Sequence, residues 1–323
     1  MINQAARRRA TTAGAAPIVA TRTEQRADPM RLTAFWHRIH RWPRWQRWPL
    51  KLAILALAIL LALYPKLWLL PTYFERVANF NSVLDPDNPA LAPLEAQVVA
   101  EVGPAAPLEA VCGPLERDVY ARIPYAFDWD TWGVMDYVPT VDEVFAKGRE
   151  DCDGRAVVAA SLLERLGFTA WIVSDLEHVW VIARDDRSPT PTEVELMGPG
   201  RGAKTATGDG AGGATRVHFN TAMLANVVRG LGYGVAVFPL GRELFILLAL
   251  CGVALQPWSS RRQRIVGCSL LVAALVLWRI TGAVNGIPTE HPVATWLGLA
   301  AAVAGCAVLL VRTRRKQPGP SST

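Results

Sequence analysis

The chain has 323 residues, a net charge of +6, and a composition that is 51% hydrophobic but only 19% charged. Soluble domains carry roughly 25% charged residues, and together with a mean hydropathy of +0.19 this deficit excludes a purely water-soluble globular protein. The basic residues sit beside apolar runs and form no single stripe, which argues against nucleic acid as a partner and for a lipid bilayer.

Residues 1–51 carry eleven basic side chains against Glu24 and Asp28, a local charge of +9, with Trp36, Trp42, Trp45 and Trp48 interleaved among the arginines. This pattern predicts a cytoplasmic segment bordered by an interfacial aromatic belt. Leu52 to Leu70 matches a hydrocarbon core of roughly 30 Å, and Lys66 lies near enough to its end to snorkel. A cleavable signal peptide has its apolar core within roughly the first 15 to 30 residues, so this later run is expected to be a retained anchor.

Residues 71–107 are rich in Pro, Ala, Asp and Asn and read as a linker with a short helix. Residues 108–238 form the polar middle. Leu108 to Ile123 has helical spacing, with Gly113 and Pro114 as candidate breaks. Asp151 as N-cap and Gly167 as C-cap bound a helix from Cys152. Phe168–Val173 and His178–Ala183 read as antiparallel strands, Glu193–Met197 as a third, and Val217–Phe219 as a further one. The tract from Gly198 to Gly213 is expected to be a mobile loop. Its GPGRGAKT resembles a phosphate loop, but Ala203 separates Gly202 from Lys204, and nucleotide binding is rejected. An apolar helix is expected from Asn220 toward Arg229.

Three more spans are expected at 240–257, 265–283 and 294–311, followed by a basic tail at 312–323. Arg261, Arg262 and Arg264 separate the first two of these spans, whereas the connection containing His291 has no Lys or Arg. Four spans then leave both termini cytoplasmic and the middle region outside.

Cys152 is the focus of the chemistry. At a helix N-terminus, backbone N–H groups favour a thiolate, although Glu150, Asp151 and Asp153 oppose it. An imidazole is needed to take the proton. Outside the bilayer the candidates are His178, His218 and His291, of which only His178 opens a convincing core strand. Other readings remain: a Cys112–Cys152 disulfide, His178 as a satisfied core residue, and His218 as structural. A zinc site of Cys112, Cys152, His178 and His218 lacks a close ligand pair. Asp128, Asp130 and Asp136 lack EF-hand spacing and are expected to cap turns or line a cleft.

The run YAFDWDTWGVMDYVPTVDEVFAKGREDCDGRAVVAASLLERLGF followed by HVWV resembles the transglutaminase-like superfamily, in particular its bacterial cysteine-peptidase-like branch. The resemblance covers about residues 120–200. It implies an α+β, papain-like core in the cell envelope, combined with about four transmembrane helices. It further implies Cys152 as nucleophile, His178 as general base and acid, and no metal or organic cofactor. Its substrate would be a peptide or protein outside the cytoplasm. The chain departs from the pattern at Glu150, where the family has Gly, and at Gly198, where it has an acid. Glu195, or else Glu193, is offered as the third member; a Cys–His dyad or an inactive site are the alternatives. Trp132 or Tyr137 is a candidate oxyanion donor, and each is also suited to lining the core or cleft. The rival function is a non-catalytic binding or assembly module; a transporter is disfavoured by the few ionisable residues in the spans. The sequence leaves the oligomeric state open.

Overall fold

The computed structural model describes residues 29–175, 178–187, 190–198, 204–208, 213–218, 222–284, 287–288 and 292–311. It divides into two units, residues 1–47 and 48–323. The first contributes helix α1 (Pro29–His40) and the opening turn of α2 (Arg44–Leu63). Trp42 and Trp45 are exposed.

The architecture is mixed helix and sheet. α2 ends earlier than the expected span at 52–70, because Pro65 disfavours helical geometry at Tyr64. After a 3₁₀ turn the chain resumes as α3 (Leu70–Ala78). Residues 71–107 are not a linker. They contain α3 and α4 (Ala92–Val102), and Phe80, Val83, Leu91, Leu94 and Val98 are buried in the core of the polar domain. Arg165 Nε donates to Glu95 Oε2 at 2.6 Å, tying α4 to the domain's central helix.

That central helix is α8 (Cys152–Arg165), preceded by α5 (Leu108–Arg122), α6 (Asp128–Thr131) and α7 (Val141–Lys147). Pro114 lies inside α5 without breaking it. Asp151 caps α8, accepting from Asp153 N at 3.1 Å. Small and β-branched residues from Ala156 to Leu163 are all buried because α8 is enclosed by sheet and helices. The sheet comprises β1 (Thr169–Ser174), β2 (Val179–Asp185), β3 (Thr192–Leu196), β4 (Ala206–Thr207) and β5 (Arg216–Val217). Its order is β3-β2-β1-β4-β5, and every neighbouring pair is antiparallel. Thus part of the Gly-rich tract expected to be a loop forms β4, which joins β1 to β5.

Four apolar helices follow: α9 (Ala222–Val237), α10 (Leu240–Ala254), α11 (Arg261–Thr281) and α12 (Pro292–Leu310), with a two-stranded hairpin of β6 (Ala283–Val284) and β7 (Ile287–Pro288) between the last two. α2, α11 and α12 are each long and apolar enough to cross a membrane; α9 and α10 form a pair bent by 117° that qualifies together. The bend falls at Phe238–Pro239. There Arg279 Nη1 donates to Phe238 O at 2.9 Å and pairs with Glu243 Oε2 at 2.6 Å.

The bundle's direction follows from its contacts. Arg242 Nη1 meets Ala62 O near one end of α2, and Lys51 Nζ donates to Val253 O at 2.7 Å near the other. α10 therefore returns antiparallel to α2. Ser259 Oγ donates to Leu309 O at 3.2 Å, while Trp278 Nε1 donates to Thr295 O at 3.0 Å, so α12 is antiparallel to α11. α11 and α12 approach closely at Gly267 and Gly305: a Cβ on Gly267 would lie 2.5 Å from Leu309 Cγ. This is the small-residue packing that lipid-embedded helices use. The basic segments 1–28 and 312–323, and His291, lie outside the described residues.

Candidate functional site

Cys152 occupies the first position of α8 and is half-buried. Its Sγ lies 3.5 Å from Asp153 Oδ1, the thiol donating, and the Val179 N–H reaches it from the start of β2. Burial, with Asp151 and Asp153 next in weight, pushes the thiol well above its ordinary range, against the single favourable contact from Val179. The resting sulfur is therefore a neutral thiol.

His178 immediately precedes Val179. A local turn fixes its backbone: its N–H donates to Asp175 Oδ1 at 2.9 Å and its carbonyl accepts from Asp175 N at 3.1 Å. The ring stacks on buried Trp180, with centroids 6.3 Å apart and planes 14° from parallel. Nε2 lies 2.7 Å from the Met197 carbonyl oxygen. With Nε2 carrying the hydrogen, Nδ1 has the free lone pair. Among the described residues no hydrogen bond joins Cys152 Sγ to the ring.

No hydrogen bond joins the expected third member, Glu195, to the imidazole among the described residues. Glu195 is exposed on β3, opposite Ile182, and its carboxylate occupies the space a side chain at Gly198 would need. Glu193 is farther along β3, opposite Arg184. The ring is bonded instead to the Met197 main chain, which adopts a left-handed conformation of φ 59° that is unusual for a non-glycine residue. No side-chain motif announces a backbone acceptor, so sequence reasoning had no signal for it.

The expected oxyanion donors are also committed elsewhere. Trp132 Nε1 donates to Glu150 Oε1, and Lys147 Nζ sits 4.8 Å from its ring centroid. Tyr137 is buried; its hydroxyl lies 3.1 Å from Glu143 Oε1 and its N–H donates to Asp128 Oδ2 at 2.6 Å. Both side chains brace the loop beside the thiol. The Cys112–Cys152 disulfide does not form: both cysteines are free, Cys112 half-buried on α5. Nor does the four-residue zinc set assemble, since His218 Nε2 pairs with Thr207 Oγ1 at 3.1 Å on the sheet's edge.

Beneath Cys152 the chain concentrates carboxyls. Oxygens of Asp128, Asp136 and Asp153 lie within 4.8 Å of one another, as do those of Asp128, Glu150 and Asp151. Burial, then neighbouring carboxylates, raises Asp128, Asp151 and Asp153 well above the usual range, and burial lifts Glu150 to about 7. Buried Asp128 Oδ1 has no hydrogen-bond partner. These are the hard oxygen donors that could hold a divalent cation. Sequence spacing alone grouped Asp128 with Asp130 and Asp136; the fold substitutes Asp153 for Asp130.

Near the sulfur, the Tyr125 and Tyr233 hydroxyls are hydrogen-bonded to each other, and both phenols are within electrostatic reach of Cys152 and Asp151. Arg155 lies over the Tyr125 ring at 5.1 Å. Tyr233 belongs to α9, far outside the resembling segment. Comparison with protein-family models, curated proteins and solved structures finds no match to this chain.

Proposed function

We propose that the chain is a membrane-anchored, thiol-dependent acyl-transfer enzyme with a papain-like, transglutaminase-like core, hydrolysing a peptide or related amide outside the cytoplasm. The observation that carries this reading is the nearness of two element ends: the Val179 N–H that opens β2 lies close enough to favour a thiolate at the first position of α8, one residue from an imidazole anchored through Nε2. A helix bearing the thiol, packed on an antiparallel sheet bearing the imidazole, supports the resemblance in fold.

Because the resting thiol is neutral, proton removal accompanies attack. A shift of the His178 ring toward the sulfur brings Nδ1 into position; such bonds are often long before substrate binds. Nδ1 takes the S–H proton as sulfur bonds to the amide carbon and the carbonyl electron pair moves to oxygen. The Cys152 N–H, at a helix position without an intrahelical acceptor, can donate to that oxygen. Collapse breaks the C–N bond and His178 returns the proton to the leaving amine. A water deprotonated by His178 then hydrolyses the thioester and regenerates the thiol.

Alkylation by iodoacetamide tests the reading. Cys152 in the folded, reduced chain at neutral pH is expected to react, and His178→Ala to slow that reaction at least tenfold. A thiol that reacts only after denaturation overturns it.

A second reading, a non-catalytic assembly module, draws on the carboxylates that hold the thiol neutral and on the commitment of Trp132 and Tyr137 elsewhere. Cys152→Ala separates the two: an enzyme loses its cellular role and a scaffold keeps it.

For topology, the antiparallel order of α2, α10, α11 and α12 supports four crossings, the bent α9–α10 pair counting as one. The positive-inside rule then assigns Lys51, the Arg261 connection and the tail to the cytoplasmic side of a bacterial inner membrane.

A further inference from the structure

The loop beside Cys152 is fastened to the ends of the apolar helices. Met135 N donates to Leu63 O at 2.8 Å, Lys66 Nζ to Trp132 O at 2.5 Å, and Arg242 Nη2 to Gly133 O at 3.0 Å. Tyr64 OH donates to Asp136 O at 3.2 Å, and Trp129 packs edge-on against Phe238 at the α9–α10 bend, with centroids 5.4 Å apart. Asp136 in turn has a carboxylate oxygen within 4.8 Å of one on Asp153, the residue following Cys152. Tyr64, just past the end of α2, thus meets Asp136, whose carboxylate neighbours Asp153, and Asp153 accepts from the sulfur. Headgroups add roughly 5–8 Å beyond each face of the hydrocarbon core, the layer in which a loop fastened to the ends of spanning helices would sit.

Side chains that settle at such a boundary are exposed on the segments that flank these contacts. Trp68 is 71% exposed and Phe74 63%, and Leu67, Met135 and Tyr125 are also exposed. Aromatic residues at the level of the helix ends anchor a protein in the interfacial region. Tyr233, from the helix leading into the bend, is hydrogen-bonded to Tyr125 near the sulfur.

We infer that the amide attacked by Cys152 is presented by the bilayer: it belongs to a molecule held there by an acyl or apolar anchor. This rests on the thiol reading above. Anchoring confines the substrate to the layer where the site opens, which raises its effective concentration without any new contact.

The test uses the full chain in phosphatidylcholine liposomes, with Cys112, Cys251, Cys268 and Cys306 replaced by Ala so that Cys152 is the sole thiol. A reference chain carries Cys152→Ala and Asp186→Cys, placing its thiol at the far end of β2, about 25 Å from the site by strand rise. Three chloroacetamides are compared at pH 8.5 by mass spectrometry: a soluble reagent, an acyl-anchored hexapeptide, and one borne directly on phosphatidylethanolamine. In each, the S–C bond forms as chloride leaves and the thiol proton passes to His178 or water. The anchored-to-soluble rate ratio is expected to be at least tenfold higher at Cys152 than at the reference. Enrichment with the hexapeptide identifies an anchored polypeptide as the source, and enrichment with the headgroup reagent alone identifies a lipid amide. Equal ratios at the two thiols, or a higher one at the reference, overturn the inference. A Cys152 that refuses all three reagents while the reference accepts the soluble one overturns the thiol reading itself, and is thereby distinguished.

Discussion

Asp153 accepts from the thiol at 3.5 Å and ranks among the causes that raise it. Replacing Asp153 with Asn removes that charge while keeping an oxygen acceptor, so Cys152 should ionise more readily. Each unit of thiol pKa lowered increases the thiolate fraction about tenfold at a fixed pH below it; stopped iodoacetamide reactions at pH 7 should show a several-fold faster Cys152 adduct. An unchanged rate would mean that Asp151 and burial alone set the thiol. Glu150 is wholly buried, with Trp132 and the Asp151 N–H bound to its carboxylate and Lys147 and Glu143 nearby. Its folded value of about 7 lies above the unfolded value of 4.5. The folded state then binds the extra proton, so this contribution to stability is full below 4.5 and is lost as pH rises to 7. The window corresponds to about 3 kcal/mol, to order of magnitude. Glu150→Gln, which still accepts from the indole, should flatten the decline of melting temperature across that range; Asp128, Asp151 and Asp153 leave a residual slope of the same sign. The places of Cys152 at a helix start and His178 just before a strand were readable because capping residues and a β-rich run frame them. Their environment was not, since the imidazole is bonded to the Met197 carbonyl and the donors singled out, Trp132 and Tyr137, turn to Glu150 and Glu143.

Close approach governs how the helices pack. A Cβ on Gly154 would collide with Glu150 Cγ and lie 2.9 Å from Val144 Cγ2, so Gly154→Ala must displace either the buried acid or α7. Overpacking of this kind costs about 1–3 kcal/mol, measurable as a lower thermal midpoint with the Cys152 alkylation rate disturbed in parallel. In the bundle, Gly267→Leu would drive α11 off α12 at Leu309 and Gly305. Loss of monodispersity in detergent is the expected result, while a Gly267→Ala chain should be affected less. The caps of α8 and the alternation of β1 and β2 made these elements readable in the sequence. A short helix was expected in 71–107, but the burial of α4 was hidden because Pro, Asp and Asn dominate the composition around Leu91, Leu94 and Val98, although proline is at home in a helix's first turn. β4 was hidden because only two residues pair, and their partners on β1 and β5 supply the register. The end of α2 was misplaced because the apolar run continues through Pro65 into a 3₁₀ turn.

The bundle and the polar domain share one framework, and Arg279 with Glu243 holds its bend. Arg279→Leu would release the Phe238 carbonyl and leave Glu243 buried without its cation. Since Phe238 packs on Trp129 and Tyr233 meets Tyr125, this change in the spans should alter the reactivity of a thiol in the polar domain. Comparing Cys152 alkylation in Arg279→Leu with that in Arg279→Lys checks the coupling, and identical rates in both and in the parent chain would refute it. The division between polar middle and apolar ends was visible from hydropathy, and Pro239, Arg242 and Glu243 marked the 240–257 span as interrupted, but the 117° bend with α9 was not, because nothing in the sequence joined that helix to the span. The Lys51–Val253 bond has a consequence for biogenesis. Its partners are 202 residues apart, and at roughly 5–20 residues per second a ribosome needs about 10–40 s to supply the second after the first. During that interval α2 exists without the α10 carbonyl that receives its lysine, while the whole polar domain is synthesised. The domain must therefore begin folding on a half-built base, and the last helices to emerge complete the floor beneath a structure already under way.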